Sequence, residues 1–217
     1  MQFSDAVDSV GLSVEPAHSI AINDARVPPM NALQVLDHRR STPSRLLSEP
    51  GPDAEQLQRM LAAAVRVPDH GRLQPWRFIL ILGDNRQRLG DVLARRSAER
   101  NPDAPVAVVE KDRARFNQAP LVIAVIARLT PGHKVPEQEQ LLSGGAVCLT
   151  LLQAADALGF GAQWLTGWAA YDTAVAATLG LAEHEKVLGF IHVGTATERI
   201  AERERPDPID LTRELQL

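Results

Sequence analysis

Residues 120–128 read Pro120-Leu-Val-Ile-Ala-Val-Ile-Ala-Arg128, an almost unbroken apolar run rich in β-branched residues. Its length suits a strand, and apolarity without alternation predicts a strand covered on both faces. Such a strand needs structure layered on each side, so this run makes the chain a layered domain. Upstream, Arg77–Leu82 (RFILIL) is a second strand candidate closed by Gly83-Asp84, followed by a surface helix over Asn85–Arg100 with Leu89, Val92 and Leu93 inward. Downstream, a long helix is expected from about Pro136 to Leu158, stopped by Gly159-Phe160-Gly161. Ala162–Gly167 (AQWLTG) and Val187–Thr195 (VLGFIHVGT) are two more strand candidates, with a helix over Asp172–Leu179 between them. Farther back, Asp53 and Gln56 form a capping box for a helix whose buried stripe is Leu57, Met60, Leu61, Ala64 and Val65. A short helix with Leu33, Val35 and Leu36 on one face is expected to end near His38, and residues 101–119 read as part helix and part loop, long enough for a lid. Strands interleaved with helices, without hairpin turn signals, predict a mixed α/β or α+β domain. The absence of GxGxxG argues against a Rossmann fold.

Composition narrows the function. The chain has 217 residues, 45% hydrophobic and 23% charged, with a net charge of −4. That balance gives no general attraction to nucleic acid or anionic membrane. The apolar runs are too short to span a bilayer. The N-terminus lacks the basic-then-apolar pattern of a secretory signal, and Cys148 is the only cysteine. The natural compartment is therefore a reducing cytoplasm, and Cys148, in an apolar helical pattern, reads as an inert buried thiol. Residues 1–29 have little periodicity and end in Val27-Pro28-Pro29. They read as an N-terminal extension to a domain over residues 30–217.

The chemistry concentrates in three places. Arg39-Arg40-Ser41, just past a helix end, offers two guanidinium forks and a hydroxyl, a set suited to a phosphate; a solvated basic pair at a helix C-terminus is the plainer reading. Arg66–Trp76 (RVPDHGRLQPW) is a proline-bounded loop carrying Asp69, His70, Arg72 and Gln74. Trp164-Leu165-Thr166-Gly167 ends a strand with a ring, an apolar side chain and a hydroxyl, though a core tryptophan reads the same way. The histidines show no HExxH or comparable spacing, so no metal is expected, and no serine or cysteine lies in a nucleophile-elbow context. His192 alternates with apolar neighbours and reads as a satisfied core or dimer-contact histidine. Trp76 and Trp168 read as packing residues. The charged tail ERIAERERPD reads as a solvated face, with Arg199 and Arg203 weak candidates for an extra anion contact.

Taken in order, HRRSTPSR, RVPDHGRLQPWRF, GFGAQWLTGW and FIHVGT resemble the FMN-dependent nitroreductase family. The Pro-Asp-His loop is similar to that of its short, single-domain bacterial branch, the YdjA-like proteins. The resemblance covers about Met30 to Asp207 and implies an α+β layered fold, a central mixed but mainly antiparallel sheet flanked by helices, in an obligate homodimer with two FMN sites at the subunit interface. Carried over by position, Arg39, Arg40 and Ser41 hold the ribityl phosphate and nearby flavin edge. Arg66 and His70 reach the flavin of the other subunit, and Trp164, Leu165 and Thr166 line the isoalloxazine ring. The implied activity is ping-pong hydride transfer through flavin N5 from NADH or NADPH to nitroaromatic, quinone or related small-molecule acceptors, with no dedicated general base. Two departures bear on the acceptor: Asp69-His70 and Arg72 stand where many members have a serine pair and an asparagine, and Leu165 stands where the branch often has arginine. The alternatives are a dehydrogenase or dehalogenase on the same scaffold, or a non-catalytic dimeric ligand-binding protein.

Overall fold

The computed structural model describes residues 32–216. The expected extension over residues 1–29 lies outside them. Six helices are described: α1 (Ala32–His38), α2 (Ala54–Ala64), α3 (Asp84–Arg100), α4 (Val106–Ala114), α5 (Glu137–Ala157) and α6 (Thr173–Thr178). The strands are β1 (Leu47–Ser48), β2 (Trp76–Ile81), β3 (Leu121–Arg128), β4 (Gly161–Leu165) and β5 (Glu185–Ala196). The Asp53–Gln56 capping box forms at the start of α2, with both of its reciprocal bonds present.

The sheet is built around β5. One edge of β5 takes β3 and then β2; the other takes β4 along Phe190–Gly194 and β1 at Thr195–Ala196. Every ladder among these strands is antiparallel, and the parallel element of the mixed sheet is a single bridge between Ser41 and Ala162. β3 is buried on both faces, and its alternation divides the interior. Leu121, Ile123 and Val125 join Met60, Val147, Leu151 and Ile191 beneath α2 and α5. Val122, Ala124 and Ile126 join Leu89, Leu93, Phe116, Val175 and Phe190 beneath α3 and α6.

One irregularity matters for the site. Opposite the adjacent pair Val125 and Ile126 of β3, the ladder passes from Gly189 to Val187, so Leu188 is an extra, unpaired residue in β5. The face presented by β5 slips accordingly: Val187 and Phe190 belong to the same core, although regular alternation would separate them. The Leu188 side chain enters a notch at Gly144 of α5, where even a Cβ would meet its Cδ1 at 2.3 Å.

Some expectations are corrected. Leu33 and Leu36 of α1 face outward, and Val35 is the half-buried member of that turn. Residues 106–114 form no free lid, because α4 packs along α3. Val65 lies at the α2 C-cap and is exposed, so the buried stripe ends at Ala64. His192 is fully buried, stacked in parallel on Phe116, with its ring nitrogens facing the carbonyls of Phe190 and Arg115. Burial holds its proton affinity below the ordinary imidazole value. Cys148 is buried and its thiol is pushed up to about 12, which leaves it inert. Among the described residues, no helix is long and apolar enough to cross a membrane.

Candidate functional site

The Arg39–Ser41 segment follows α1 and lies along the outer edge of β4. Ser41 bridges Ala162, and the Thr42 N–H donates to the Ala162 carbonyl at 2.9 Å. The next residues are pinned through side chains: Gln163 Oε1 accepts from the Ser44 N–H at 2.6 Å, and the Ser44 hydroxyl donates to Gln118 Oε1 at 2.5 Å. Two segments far apart in sequence, 39–41 and 161–165, are thereby fixed side by side.

Arg39, Arg40 and Ser41 line a crevice of about 80 Å³ with Arg203 and Arg205 from the C-terminal segment. Beside it lies Glu202, whose Oε1 accepts from the guanidiniums of Arg40 (Nη1, 2.7 Å) and Arg205 (Nε, 3.1 Å) and from the Arg203 backbone N–H at 3.0 Å. The Arg203 backbone donor, and after it the two guanidiniums, hold that carboxyl below its usual range. Arg39 Nη1 and Arg40 Nε are buried without a hydrogen-bond partner. Two buried donors of this kind cost free energy as they stand, and an anion bound among these arginines would offer them acceptors. A phosphate monoester matches this donor set in charge and in hydrogen-bonding capacity. Of the sequence candidates Arg203 is here, Arg199 lines a neighbouring cavity instead, and Arg205 and Glu202 were missed. The signal for them was present in the charge-dense tail, but only the fold shows which of its charges are laid beside residues 39–41.

Trp164 lies on β4 with its indole across Gly189, where a Cβ would sit 2.0 Å from Nε1. Its N–H donates to the Leu188 carbonyl at 3.0 Å, an oxygen that the β5 irregularity leaves outside the ladder. The ring is 37% exposed, so it is fixed in position and still presents a surface. Trp164 pairs with Ile191 and Leu165 with Phe190, so the two side chains point to opposite sides of the sheet. Thr166 follows the strand and is half-buried.

Arg66 and His70 are elsewhere. Both are exposed. His70 Nδ1 lies 2.7 Å from Glu139 Oε2 in the first turn of α5. Arg39, in contrast, acts on Asp156 near the other end of α5, where it and His38 oppose the upward pull of burial on that carboxyl. From Glu139 to Asp156 the helix rises about 25 Å. His70 and the arginine crevice therefore lie toward opposite ends of α5. The structure thus joins Arg39, Arg40, Ser41 and the β4 strand end into one neighbourhood and leaves Arg66 and His70 in another. Among the described residues, no group of three or more acidic, histidine or cysteine side chains is placed to hold a metal.

Comparison with known proteins fits this architecture. The Nitroreductase family profile matches residues 36–195. The chain is 40% identical over 166 residues to YdjA of Escherichia coli (strain K12), provisionally named an NAD(P)H nitroreductase, covering 76% of this chain and 88% of that protein. Among solved structures, a nitroreductase-like family protein from Bacillus cereus superposes with a TM-score of 0.75 at 20% identity, covering 88% of this chain and 99% of that one. A provisionally named nitroreductase from Desulfovibrio desulfuricans, in complex with FMN, gives 0.66 at 22% identity over 86% and 97% of the two chains. At these identities the structural likeness establishes the fold.

Proposed function

Because this chain belongs to the nitroreductase family, we propose that it is a homodimeric, FMN-dependent oxidoreductase passing electrons from NADH or NADPH to a small acceptor such as a nitroaromatic or a quinone. The observation that carries the reading is the crevice with its two buried, unpartnered guanidinium N–H groups. The FMN-bound Desulfovibrio neighbour and the nicotinamide in the YdjA name support the same reading.

When bound, FMN supplies two-electron carriage between nicotinamide and acceptor, in alternating half-reactions at one pocket. The chain's own residues, within the domain of residues 30–217, do the rest. Arg39 and Arg40 grip the phosphate through forks that the fold already orients, and Ser41 adds a hydroxyl. Arg203 and Arg205 close the crevice from the tail. Trp164 gives the ring a flat, immobile wall, Thr166 a hydroxyl at the strand end and Leu165 an uncharged neighbour. Arg66 and His70, toward the other end of α5 from the crevice of their own chain, would meet the ring held by the partner subunit. No side chain is required as a general base.

The test is the visible spectrum of the purified protein, followed by NADH or NADPH under anaerobic conditions. Flavin absorbance that bleaches on addition, and parallel steady-state lines, are the expected results. A colourless protein that stays colourless after reconstitution with FMN overturns the proposal.

A further inference from the structure

A carboxylate has only acceptors, so the imidazole nitrogen that meets Glu139 at 2.7 Å carries the proton. We infer that Glu139 is a positioning residue that holds His70 in its Nδ1–H form and turns Nε2 outward, as a lone-pair acceptor for an N–H on the bound ligand. This rests on the reading that His70 meets a flavin.

The surroundings of the pair limit both partners. Below His70 the loop is locked by Asp69, whose two carboxylate oxygens accept from the Leu73 N–H at 3.1 Å and the Gln74 N–H at 2.9 Å. Those bonds sustain a backbone with positive φ at Gly71 and at two residues with side chains, Arg72 (55°) and Gln74 (48°). The latter two conformations are strained and persist only where the surroundings enforce them. On the other side, Glu139 lies in the first turn of α5. Its neighbour Gln140 anchors that turn: the amide is buried, accepts from the Thr130 N–H and donates to the Thr130 and Val135 carbonyls. Val135 in turn packs against Gly71. The loop and the helix start therefore form one unit, and the His70 ring is suspended between them.

Both side chains are substantially exposed, so the pair adds little to stability. Its consequence is chemical. A neutral histidine in water favours the Nε2–H form, which would offer a donor outward. The carboxylate reverses that choice and settles which groups on a ligand His70 can address.

The experiment is ¹⁵N NMR of the His70 imidazole in the full-length protein, with FMN removed and with FMN bound, at a pH where the ring is neutral. The Nδ1–H signature is expected in the wild type, and predominance of Nε2–H in Glu139→Ala. In FMN titrations followed by flavin fluorescence, E139A should weaken binding by about threefold to tenfold and cause no further loss when added to His70→Ala. An Nε2–H wild-type ring, an unchanged tautomer in E139A, or additive losses overturn the inference. A protein that binds no FMN sinks the proposed function, whereas the tautomer, read without flavin, still decides the role of Glu139.

Discussion

Near the two ends of α5 lie two clusters built on opposite principles, the two halves of the proposed site. At the C-terminal end, cations from segments far apart in sequence, Arg39–Arg40 and Arg203–Arg205, meet around a half-buried crevice with donors to spare. At the N-terminal end a single short loop, braced by its own aspartate, offers one imidazole to the open surface. The first arrangement suits grip, since charged donors already withdrawn from water gain most from a matching anion. The second suits direction, because an exposed pair contributes little energy but fixes which way a ring nitrogen faces. Affinity and alignment are thus assigned to different places, and in the proposed dimer each chain supplies grip to one site and alignment to the other.

The contrast is broken most directly at the gripping end. Replacing Arg39 and Arg40 together by alanine should lower FMN affinity by about 100-fold or more, from about 3 kcal/mol of lost charge-assisted bonds; equilibrium dialysis measures it, and unchanged occupancy would remove these residues from the phosphate site. A control uses an ion pair that bonds to neither Arg39–Arg40 nor His70. Arg77 Nε and Nη2 each lie 2.7 Å from the Glu185 carboxylate, and that bidentate contact above all holds the carboxyl down at about 2. Because the folded pKa is below the unfolded one, the pair's stabilisation, about 2 to 3 kcal/mol, is present above pH 4.5 and fades as pH falls toward 2. Glu185→Gln should flatten that limb of urea melts taken at a series of pH values while leaving FMN affinity alone. At the aligning end, H70A should weaken FMN by only about threefold to tenfold. Sharing sharpens the point: co-expressing H70A chains with the R39A/R40A double variant should yield mixed dimers holding one flavin of near wild-type affinity, and uniformly weak sites would deny that the two halves come from different chains. The smallest effect is expected from Glu202→Gln. Removing the negative charge that engages Arg40 and Arg205 should tighten phosphate binding about twofold and steepen its salt dependence, both readable by calorimetry.

Much of this plan was legible in the chain. Uninterrupted apolarity marked β3, the Asp53–Gln56 pair marked the start of α2, and Gly159–Gly161 marked the end of α5, because local energetics decide each of these. Order along the sequence also brought forward Arg39, Arg40, Ser41, His70 and Trp164. What stayed hidden depends on distant partners. The two-residue β1 exists only because β5 extends to meet it. Glu202 and Arg205 look like any solvated charges until the tail is laid beside residue 40. The His70–Glu139 contact spans segments with no periodic relation. Leu33 and Leu36 satisfied a helical stripe, yet α1 is too short to dictate which way that stripe turns.

The unpaired Leu188 has one more consequence. Val187 and Phe190 already share a core, so a chain lacking residue 188 would run as an ordinary strand with every neighbour still on its proper side. The sheet does not need this residue. What would vanish with it are the free carbonyl that tethers the Trp164 indole and the side chain seated at Gly144. A single spare amino acid is what ties the Trp164 indole to the long helix.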